Sequence, residues 1–523
     1  MRLTRYSGGC AILKTIAATL AVVGLAMGAA NLYFSLPERP PEPASPGTPA
    51  ASAGSALTDA VAFLAASHPG RSGVMLLQDG TDAFATRMML ADAAEYRIDA
   101  QYYIWHDDVT GALLLDALQR AAERGVRVRL LLDDNGITGL DDKIAALNRH
   151  PNVSIRLFNP FVLRNPKWAG FIFDFFRLNR RMHNKSFTVD GAVTVVGGRN
   201  IGDEYFGTGT NPLYLDLDLM AIGAVVTDVA DDFTRYWRSH AAYPAESIID
   251  PVPGLAPPLP MLTPDSEQDV QAYLDMLDIA DIVPRLLAGT LPLAWVPVKL
   301  VSDDPVKAQG RASVEQLMFF RLSELVGSPS ARLDIVSAYF VPGPRMVAEL
   351  AELERCGVDV RVFTNSLDAT DVAPVHAGYA KYRVRLLRAG VELFELQPES
   401  AAEDRRADMG MAGSSSSSLH AKVFVVDGAI VYVGSFNFDP RSMFLNTEMG
   451  LVVQSPELAE RMHGAFSDNA GRRAYRPLLL DGALIWQERR DGKVIVHSKE
   501  PGTTFGQRLA VRVIGWLPVH WLL

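Results

Sequence analysis

The chain has 523 residues, of which 48% are hydrophobic and 21% charged, and its formal net charge is −10. That length exceeds one average domain and fits two ordinary domains or one large pseudo-symmetric body with a sizeable core. The acidic balance argues against bulk nucleic acid as a partner, because neutralising phosphates needs a basic surface, and two distant cysteines, Cys10 and Cys356, support neither a disulfide framework nor a metal cluster.

Arg2, Arg5 and Lys14 precede an uncharged apolar run from Thr15 to Leu36. As a helix this run spans about 33 Å, enough to cross a bilayer. Basic residues ahead of the run put the start in the cytoplasm and the remainder outside it. Small residues at Ala26, Gly28, Ala29 and Ala30 leave a cleaved signal peptide as the alternative, although the run is long for one. Cys10 lies before the apolar run and so is no lipoprotein cysteine. Residues 1–36 are therefore read as anchor or signal, and 37–56, rich in Pro, Ala, Ser and Gly, as a tether with almost nothing to bury.

A first folded half, 57–250, reads as β/α. Arg97 to Ile104 has the pattern of a buried strand, Leu113 to Arg124 of a helix closed by Gly125, and Val126 to Leu132 of a second strand. Trp168 to Phe176 is aromatic-rich and runs into Arg177, Arg180 and Arg181, a composition that suits acyl chains and headgroup phosphates or an ordinary core helix with a basic end. A connector, 251–310, opens Pro-rich and reads as helical from Ser266 towards Asp304, ending in Trp295-Val-Pro-Val-Lys-Leu. In the second half, 311–523, the same order returns: strand Arg332 to Tyr339, helix Met346 to Arg355, Gly357, and strand Val358 to Phe363. Ser414 to Ser418 reads as a loop, and Ile514 to Leu523 as an apolar tail that packs on the domain or touches the bilayer. The fold class is thus α/β: two pseudo-symmetric halves, each a mixed sheet flanked by helices, meeting at one active site.

The string His-x-Lys-x₄-Asp occurs in both halves, as His183, Lys185, Asp190 and as His420, Lys422, Asp427, each followed at the same interval by Gly-x-x-Asn. Each copy reads as a β-hairpin with a two-residue turn, Asp190-Gly191 or Asp427-Gly428. Alternation puts His and Lys of one copy on one face, while the aspartate belongs to the turn. That register places Gly198 opposite His183 and Ser435 opposite His420, so Asn200, Ser435 and Asn437 become candidate phosphate contacts and the halves differ at Gly198 against Ser435. Two facing sets of imidazole, ammonium and amide allow one histidine to attack phosphorus while the other protonates the leaving oxygen. No cofactor and no divalent metal are needed for this, and no carboxylate cluster is seen to offer a metal a place.

These paired motifs resemble those of the phospholipase D superfamily, over roughly Leu57 to the C-terminus. The resemblance implies that His183 is the nucleophile and His420 the acid, and that an acidic residue after each motif orients a histidine: Glu448 in the second half, and Asp216 or Asp218 in the first. Within the superfamily, Arg180-Arg-Met-His-Asn-Lys, Gly197-Gly-Arg-Asn-Ile-Gly-Asp-Glu-Tyr-Phe and Thr364-Asn-Ser-Leu-Asp-Ala-Thr-Asp-Val-Ala-Pro-Val-His-Ala-Gly-Tyr resemble bacterial cardiolipin synthases of the C type. The implied reaction moves a phosphatidyl group from phosphatidylethanolamine or phosphatidylglycerol to phosphatidylglycerol through a phosphohistidine, at the periplasmic side of a bacterial inner membrane. Phospholipids and the membrane are then the partners, and His376 and Tyr379 candidate pocket residues. The alternatives are a phospholipase D that uses water, a nuclease-like phosphodiesterase, and a catalytically inactive lipid-binding protein.

Overall fold

In the computed structural model, residues 7–39, 54–207, 214–251, 280–398, 418–490 and 492–516 are described. Most of the tether, much of the Pro-rich connector, Ser414 to Ser417 and the last residues of the apolar tail lie outside them. A helix from Ser7 to Tyr33 includes a stretch, Leu13–Tyr33, long and apolar enough to cross a membrane, with none of it buried against the rest of the protein.

The first half supplies β1 (Ser72–Leu77), β2 (Arg97–Ile104), β3 (Arg127–Gly136), β4 (Val153–Phe158), β5 (Ser186–Val189), β6 (Val193–Gly197), β7 (Tyr214–Leu215), β8 (Asp218–Gly223) and β9 (Ala242–Pro244). After β10 (Ala294–Val296) and β11 (Val298–Ser302), the second half supplies β12 (Arg332–Ser337), β13 (Asp359–Asn365), β14 (Glu392–Leu396), β15 (Ser418–Leu419), β16 (Lys422–Val426), β17 (Ile430–Gly434), β18 (Met449–Gln454), β19 (Ala474–Leu480), β20 (Ala483–Arg490) and β21 (Lys493–His497).

One sheet has nine strands in the order β10-β1-β8-β6-β5-β2-β3-β4-β9, and the other ten, in the order β11-β18-β17-β16-β12-β13-β14-β19-β20-β21. Exchanging β1, β8, β6, β5, β2, β3 and β4 for β11, β18, β17, β16, β12, β13 and β14 converts one order into the other. The strands joined by helical crossovers, β2-β3-β4 and β12-β13-β14, are parallel, and the motif hairpins beside them antiparallel.

Local chemistry explains the repeat. The helix Val109–Glu123 starts where Asp108 accepts from Gly111 N, and it ends at Gly125, whose φ of 97° an L side chain would strain; Gly357 has φ 87° at the same point of the second half. Asp99 on β2 grips Arg129 through two bonds of 2.7 and 2.8 Å, and Asp334 on β12 grips Arg361 through bonds of 2.6 and 2.8 Å. Each guanidinium lies over a phenylalanine, Phe233 or Phe466, of the helix covering that face. Apolar side chains of β1, β6 and β8 (Val74, Val196, Leu219) meet those of β16, β17 and β18 (Val425, Val433, Leu451) in a shared core. At about 1.5 to 3 kcal/mol per buried aliphatic side chain, this seam holds the two halves in a fixed relation.

Three expectations change. The end of the connector is not helical: the short helix Ile282–Leu287 gives way to β10, which pairs with β1, and β11, which pairs with β18, so a strand pair broken at Pro297 passes from one sheet to the other. A proline lacks the N–H needed to continue a ladder, which is why the chain changes sheets there. The hairpin register is one residue longer than the two-residue turn predicts, since Val189 faces Val193 and Val426 faces Ile430. Each Asp-Gly turn does form, with Ala192 N donating to Val189 O and Ala429 N to Val426 O, but the alanine is then bulged. Neither Gly198 opposite His183 nor Ser435 opposite His420 survives this shift. Finally, the apolar tail begins inside a helix, Phe505–Trp516, whose Val511 packs with Leu367 and Ala377 while Phe505 and Trp516 remain exposed.

At the turn, Asp190 has φ 52° and Asp427 φ 51°. The carboxylate of Asp190 accepts from the backbone N–H groups of Glu95, Tyr96 and Arg97, and that of Asp427 from Ser330, Ala331 and Arg332. Each aspartate therefore ties its hairpin to the start of β2 or β12. Asp190→Asn is expected to lower stability by about 2 kcal/mol, through loss of charge-assisted bonds, and to leave turnover per folded molecule nearly unchanged. Thermal melting and specific activity check this, and a stable yet inactive variant refutes it.

Candidate active site

The two motif histidines do not sit in their strands: β5 begins at Ser186 and β16 at Lys422, so each histidine lies just ahead of its hairpin. Each is held there by the opposite half. His183 N donates to Thr447 O at 2.8 Å and Thr447 N to Arg181 O at 2.9 Å; His420 N donates to Leu215 O at 2.8 Å. The strand pair β7–β15 continues the second contact, with Tyr214 beside Ser418 and Leu215 beside Leu419. From within its own half, each preceding residue is fastened to the end of a parallel strand. Asp133 accepts from Met182 N at 2.7 Å, and Asn365 accepts from Leu419 N at 2.9 Å.

The residue after each cross-half contact is a carboxylate. Glu448, following Thr447, bonds His183 Nδ1 through Oε2 at 2.8 Å, and Asp216, following Leu215, bonds His420 Nδ1 through Oδ2 at 2.6 Å. Each half thus holds the other half's imidazole by Nδ1, which turns the opposite ring nitrogen, Nε2, away from the carboxylate. Of the two first-half candidates the geometry selects Asp216. Asp218 instead pairs with the buried Arg87 at 2.8 Å.

The lysines complete a compact group. Lys185 donates to His183 O at 2.6 Å and lies 5.5 Å from the centre of the Tyr103 ring; Lys422 Nζ is 2.7 and 3.0 Å from the two ring nitrogens of His420. His183 is 7% exposed and His420 6%. Tyr103 meets the His183 ring edge-on at 4.9 Å, while Tyr205 and Tyr214 flank His420 at 5.1 and 5.3 Å.

Burial, then the charges of Lys185 and Lys422, push His183 well below the usual imidazole value. Burial and Lys422 bring His420 to about 4, so both rings are neutral in this state. Burial also lowers Lys185, and brings Lys422 to about 8. The carboxylates diverge. Burial pushes Glu448 up to about 7 despite Lys185 and a hydrogen bond from Ser435, and its Oε1 has no hydrogen-bond partner among the described residues. Burial acts on Asp216 in the same sense, but Lys422 and His420 overcome it and hold Asp216 below the ordinary carboxylate range.

The structure therefore brings His183, Lys185, His420, Lys422, Asp216, Glu448 and Ser435 together, and places Asp190 and Asp427 at the far ends of their hairpins. Ser435 borders His183, not His420: its carbonyl is 3.1 Å from His183 Nδ1 and its hydroxyl donates to Glu448. Asn200 is wholly buried, with its oxygen accepting from Ile104 N at 3.2 Å and its amide donating to Tyr205 Oη at 2.8 Å. Asn437 accepts from Tyr339 N at 3.4 Å.

The difference between Gly198 and Ser435 also has a cause. A Cβ at Gly198 would collide with the Asp216 carboxylate, whereas Glu448, one methylene longer, leaves room for a serine that bonds it. Gly198→Ser is expected to displace Asp216 and to cut turnover about 100-fold while the fold persists. Activity with circular dichroism checks this, and full activity refutes the steric account.

His376 and Tyr379 belong elsewhere: Arg383 bonds His376 at 2.9 Å and pairs with Glu500 and Glu395, and Tyr379 bonds Glu395, a buried network that fastens Ala373–Ala389 to the C-terminal segment. One group of metal-type donors exists among the described residues, His106, Asp108 and Glu204, within 4.8 Å of one another, which corrects the expectation that no carboxylate cluster is present. Its members have structural uses: Asp108 caps a helix and accepts from Asp203 N at 2.8 Å, and Glu204 pairs with His106 at 3.1 Å.

Residues that the sequence reading passed over include Asp133, Asn365 and Asp303. Asp303 accepts from Glu448 N at 2.9 Å, and Lys307 bonds its carboxylate at 2.8 Å, so the connector braces the residue that orients His183. Asp133 had a visible signal, since Asp133-Asp134-Asn135-Gly136 ends a buried parallel strand, where α/β proteins place their sites. Asp303 had none.

Paired sheets of this topology, with a His-x-Lys motif from each half at the seam, define a phospholipase D-like protein. A family model described as "Cardiolipin synthase, PLD-like domain" matches residues 88–237 and 322–469, and the chain belongs to that family. It is 50% identical to cardiolipin synthase C of Escherichia coli over 471 residues, covering 89% of this chain and 99% of that protein. It is 28% identical to cardiolipin synthase A of Pseudomonas entomophila over 394 residues, 74% of this chain and 66% of that one. The crystal structure of a phosphatidylserine synthase from Haemophilus influenzae superposes with a TM-score of 0.52 at 14% identity, covering 88% of this chain and 99% of that chain, a likeness of fold.

Proposed function

We propose that this chain makes cardiolipin at the outer face of the inner membrane, with His183 as nucleophile and His420 as acid and base. His183 Nε2 attacks the phosphorus of a donor phospholipid and the bond to the headgroup oxygen breaks, that oxygen taking a proton from His420. A glycerol hydroxyl of phosphatidylglycerol then gives its proton to His420 and attacks the phosphohistidine, freeing His183 and releasing cardiolipin. Lys185, Lys422 and the amide of Asn437 hold the phosphate oxygens. The carrying observation is the pair of imidazoles with Nδ1 locked to carboxylates of opposite halves.

The order of roles rests on the unequal carboxylates. A firmly ionised Asp216 favours an imidazolium at His420, while the weaker charge of Glu448 favours a neutral His183. The phosphodiester's own negative charge, arriving beside Lys422, is what raises His420 enough to be protonated. Arg2 and Arg5 ahead of the helix, and Lys14 ahead of its uncharged run from Thr15, support the outward orientation.

Phosphatidylethanolamine suits the donor position because of Asp371, an exposed carboxylate bonded by Tyr339 Oη at 2.7 Å and close enough to Lys422 and Tyr214 to act on their charges. A carboxylate beside a phosphate site repels the phosphate but attracts an ammonium. Asp371→Asn is expected to raise KM for phosphatidylethanolamine about tenfold and to leave phosphatidylglycerol as donor unaffected; equal effects on both refute this role. The overall test is purified full-length protein with phosphatidylglycerol, with and without phosphatidylethanolamine. Cardiolipin supports the reading, phosphatidic acid alone indicates transfer to water, and cleavage of oligonucleotides but no lipid sinks it.

A further inference from the structure

The helix Ser7–Tyr33 does not hand over to a free tether. Asn31 donates its amide to Phe173 O at 2.9 Å, and Phe34 stacks on Phe173 with centroids 5.3 Å apart and planes 22° from parallel. A few residues later, Arg39 donates to the carbonyls of Arg238 and Ser239 at 3.1 and 2.6 Å. The end of the membrane-crossing segment is therefore clamped to the short helix Gly170–Leu178 and to the end of the helix Ala224–Trp237. Tyr33, at the end of that segment, is 82% exposed, and aromatic residues with a polar tip favour the headgroup boundary of a bilayer.

In the clamped helix, Phe171 turns inward to Phe161 at 5.4 Å and Phe175 packs with Phe171. Trp168, in the 3-10 turn Lys167–Ala169 just before it, and Ile172 and Phe176, on either side of a break at Asp174 (φ −133°, ψ 36°), are instead 66%, 55% and 76% exposed. Three large apolar side chains left exposed within nine residues, on a segment packed against an apolar helix, are unsuited to water.

We infer that the patch formed by Trp168, Ile172 and Phe176 is seated in the leaflet on the catalytic side of the membrane, held at that depth by the contacts of Asn31 and Phe34 with Phe173. The occupant is the lipid surface itself, because the patch is continuous with the anchor and its depth is set by the anchor. The helix leads within a few residues to Arg181 and His183, so a seated patch brings the site to the level of the headgroups, and a phospholipid need not leave the leaflet entirely to reach it.

The test uses the full-length protein in proteoliposomes of phosphatidylglycerol and phosphatidylcholine, with Cys10 and Cys356 replaced by serine. An environment-sensitive fluorophore is placed at Ile172→Cys or, as a control, at Leu480→Cys, a position 59% exposed on β19. Spin-labelled lipids are expected to quench the first at least fivefold more than the second; equal quenching overturns the proposal. In parallel, the triple variant Trp168→Ser, Ile172→Ser, Phe176→Ser is expected to lose about tenfold in turnover on bilayer lipids and to keep wild-type turnover on short-chain phospholipids dissolved as monomers. A loss of the same size on both substrates, or on neither, overturns it. These outcomes are independent of which alcohol accepts the phosphatidyl group.

Discussion

Alanine at His183 or at His420 is expected to reduce phosphatidyl transfer by at least about 10⁴-fold, since in the proposed reaction the first forms the bond to phosphorus and the second protonates the leaving oxygen. The two variants differ once the leaving group is changed. A p-nitrophenyl phosphodiester needs no proton on departure, so His420→Ala should regain release of p-nitrophenol in a single burst and then stall, with the phosphoryl group left on His183. His183→Ala has no nucleophile and should give no burst. Both rings are normally below a tenth exposed and sit in a polar pocket, so truncation leaves space that water fills and the fold survives. A burst from His183→Ala and none from His420→Ala would reverse the assigned roles. Equal silence from both, in folded protein, would remove the phosphohistidine altogether.

The second large effect concerns the carboxylates. Asp216→Asn is expected to cost about 10³-fold in turnover, and to do so through His420, the histidine of the other half, because the 2.6 Å bond to Nδ1 fixes both the tautomer and the charge of that ring. Glu448→Gln acts in the same way on His183 across 2.8 Å. A double-mutant comparison separates crossed from same-half pairing. Asp216→Asn added to His420→Ala should cost nothing more in the residual rate, while Asp216→Asn and Glu448→Gln, which act on different rings, should each show their own effect. Additivity of Asp216→Asn with His420→Ala, measured as residual transfer in folded protein, would refute the crossed geometry. The pH profile gives a further check: turnover should fall as pH rises through about 8, where Lys422 loses its proton and its hold on the phosphate.

The duplication was legible from residues alone because each half repeats strand, helix, glycine and strand ahead of the same string, and β2, β3, β12 and β13 lie within a few residues of where hydrophobic pattern and turn chemistry put them. The histidines and lysines were legible for the same reason. The hairpin register was not, because the bulged Ala192 and Ala429 follow turns whose sequence, Asp-Gly, equally suits an unbulged hairpin. The strand nature of Trp295 to Leu300 was hidden too. Its pairing partners, β1 and β18, come from opposite ends of the chain, and local pattern carries no record of them.

Residue type at short spacing was enough to reveal two similar halves, the His and Lys pair that each repeats, and an apolar segment long enough to cross a bilayer ahead of them. Which carboxylate serves which histidine depends on contacts between the halves. Thr447 and Leu215 pair with the chain beside the opposite motif, so Glu448 reaches His183 and Asp216 reaches His420, contacts made 265 and 204 residues apart. Why the halves differ at Gly198 and Ser435 is likewise a tertiary matter, because that difference is set by the length of the carboxylate each must accommodate. Such pairings arise where two sheets dock through a common core, and no local propensity encodes which residues will face one another across it.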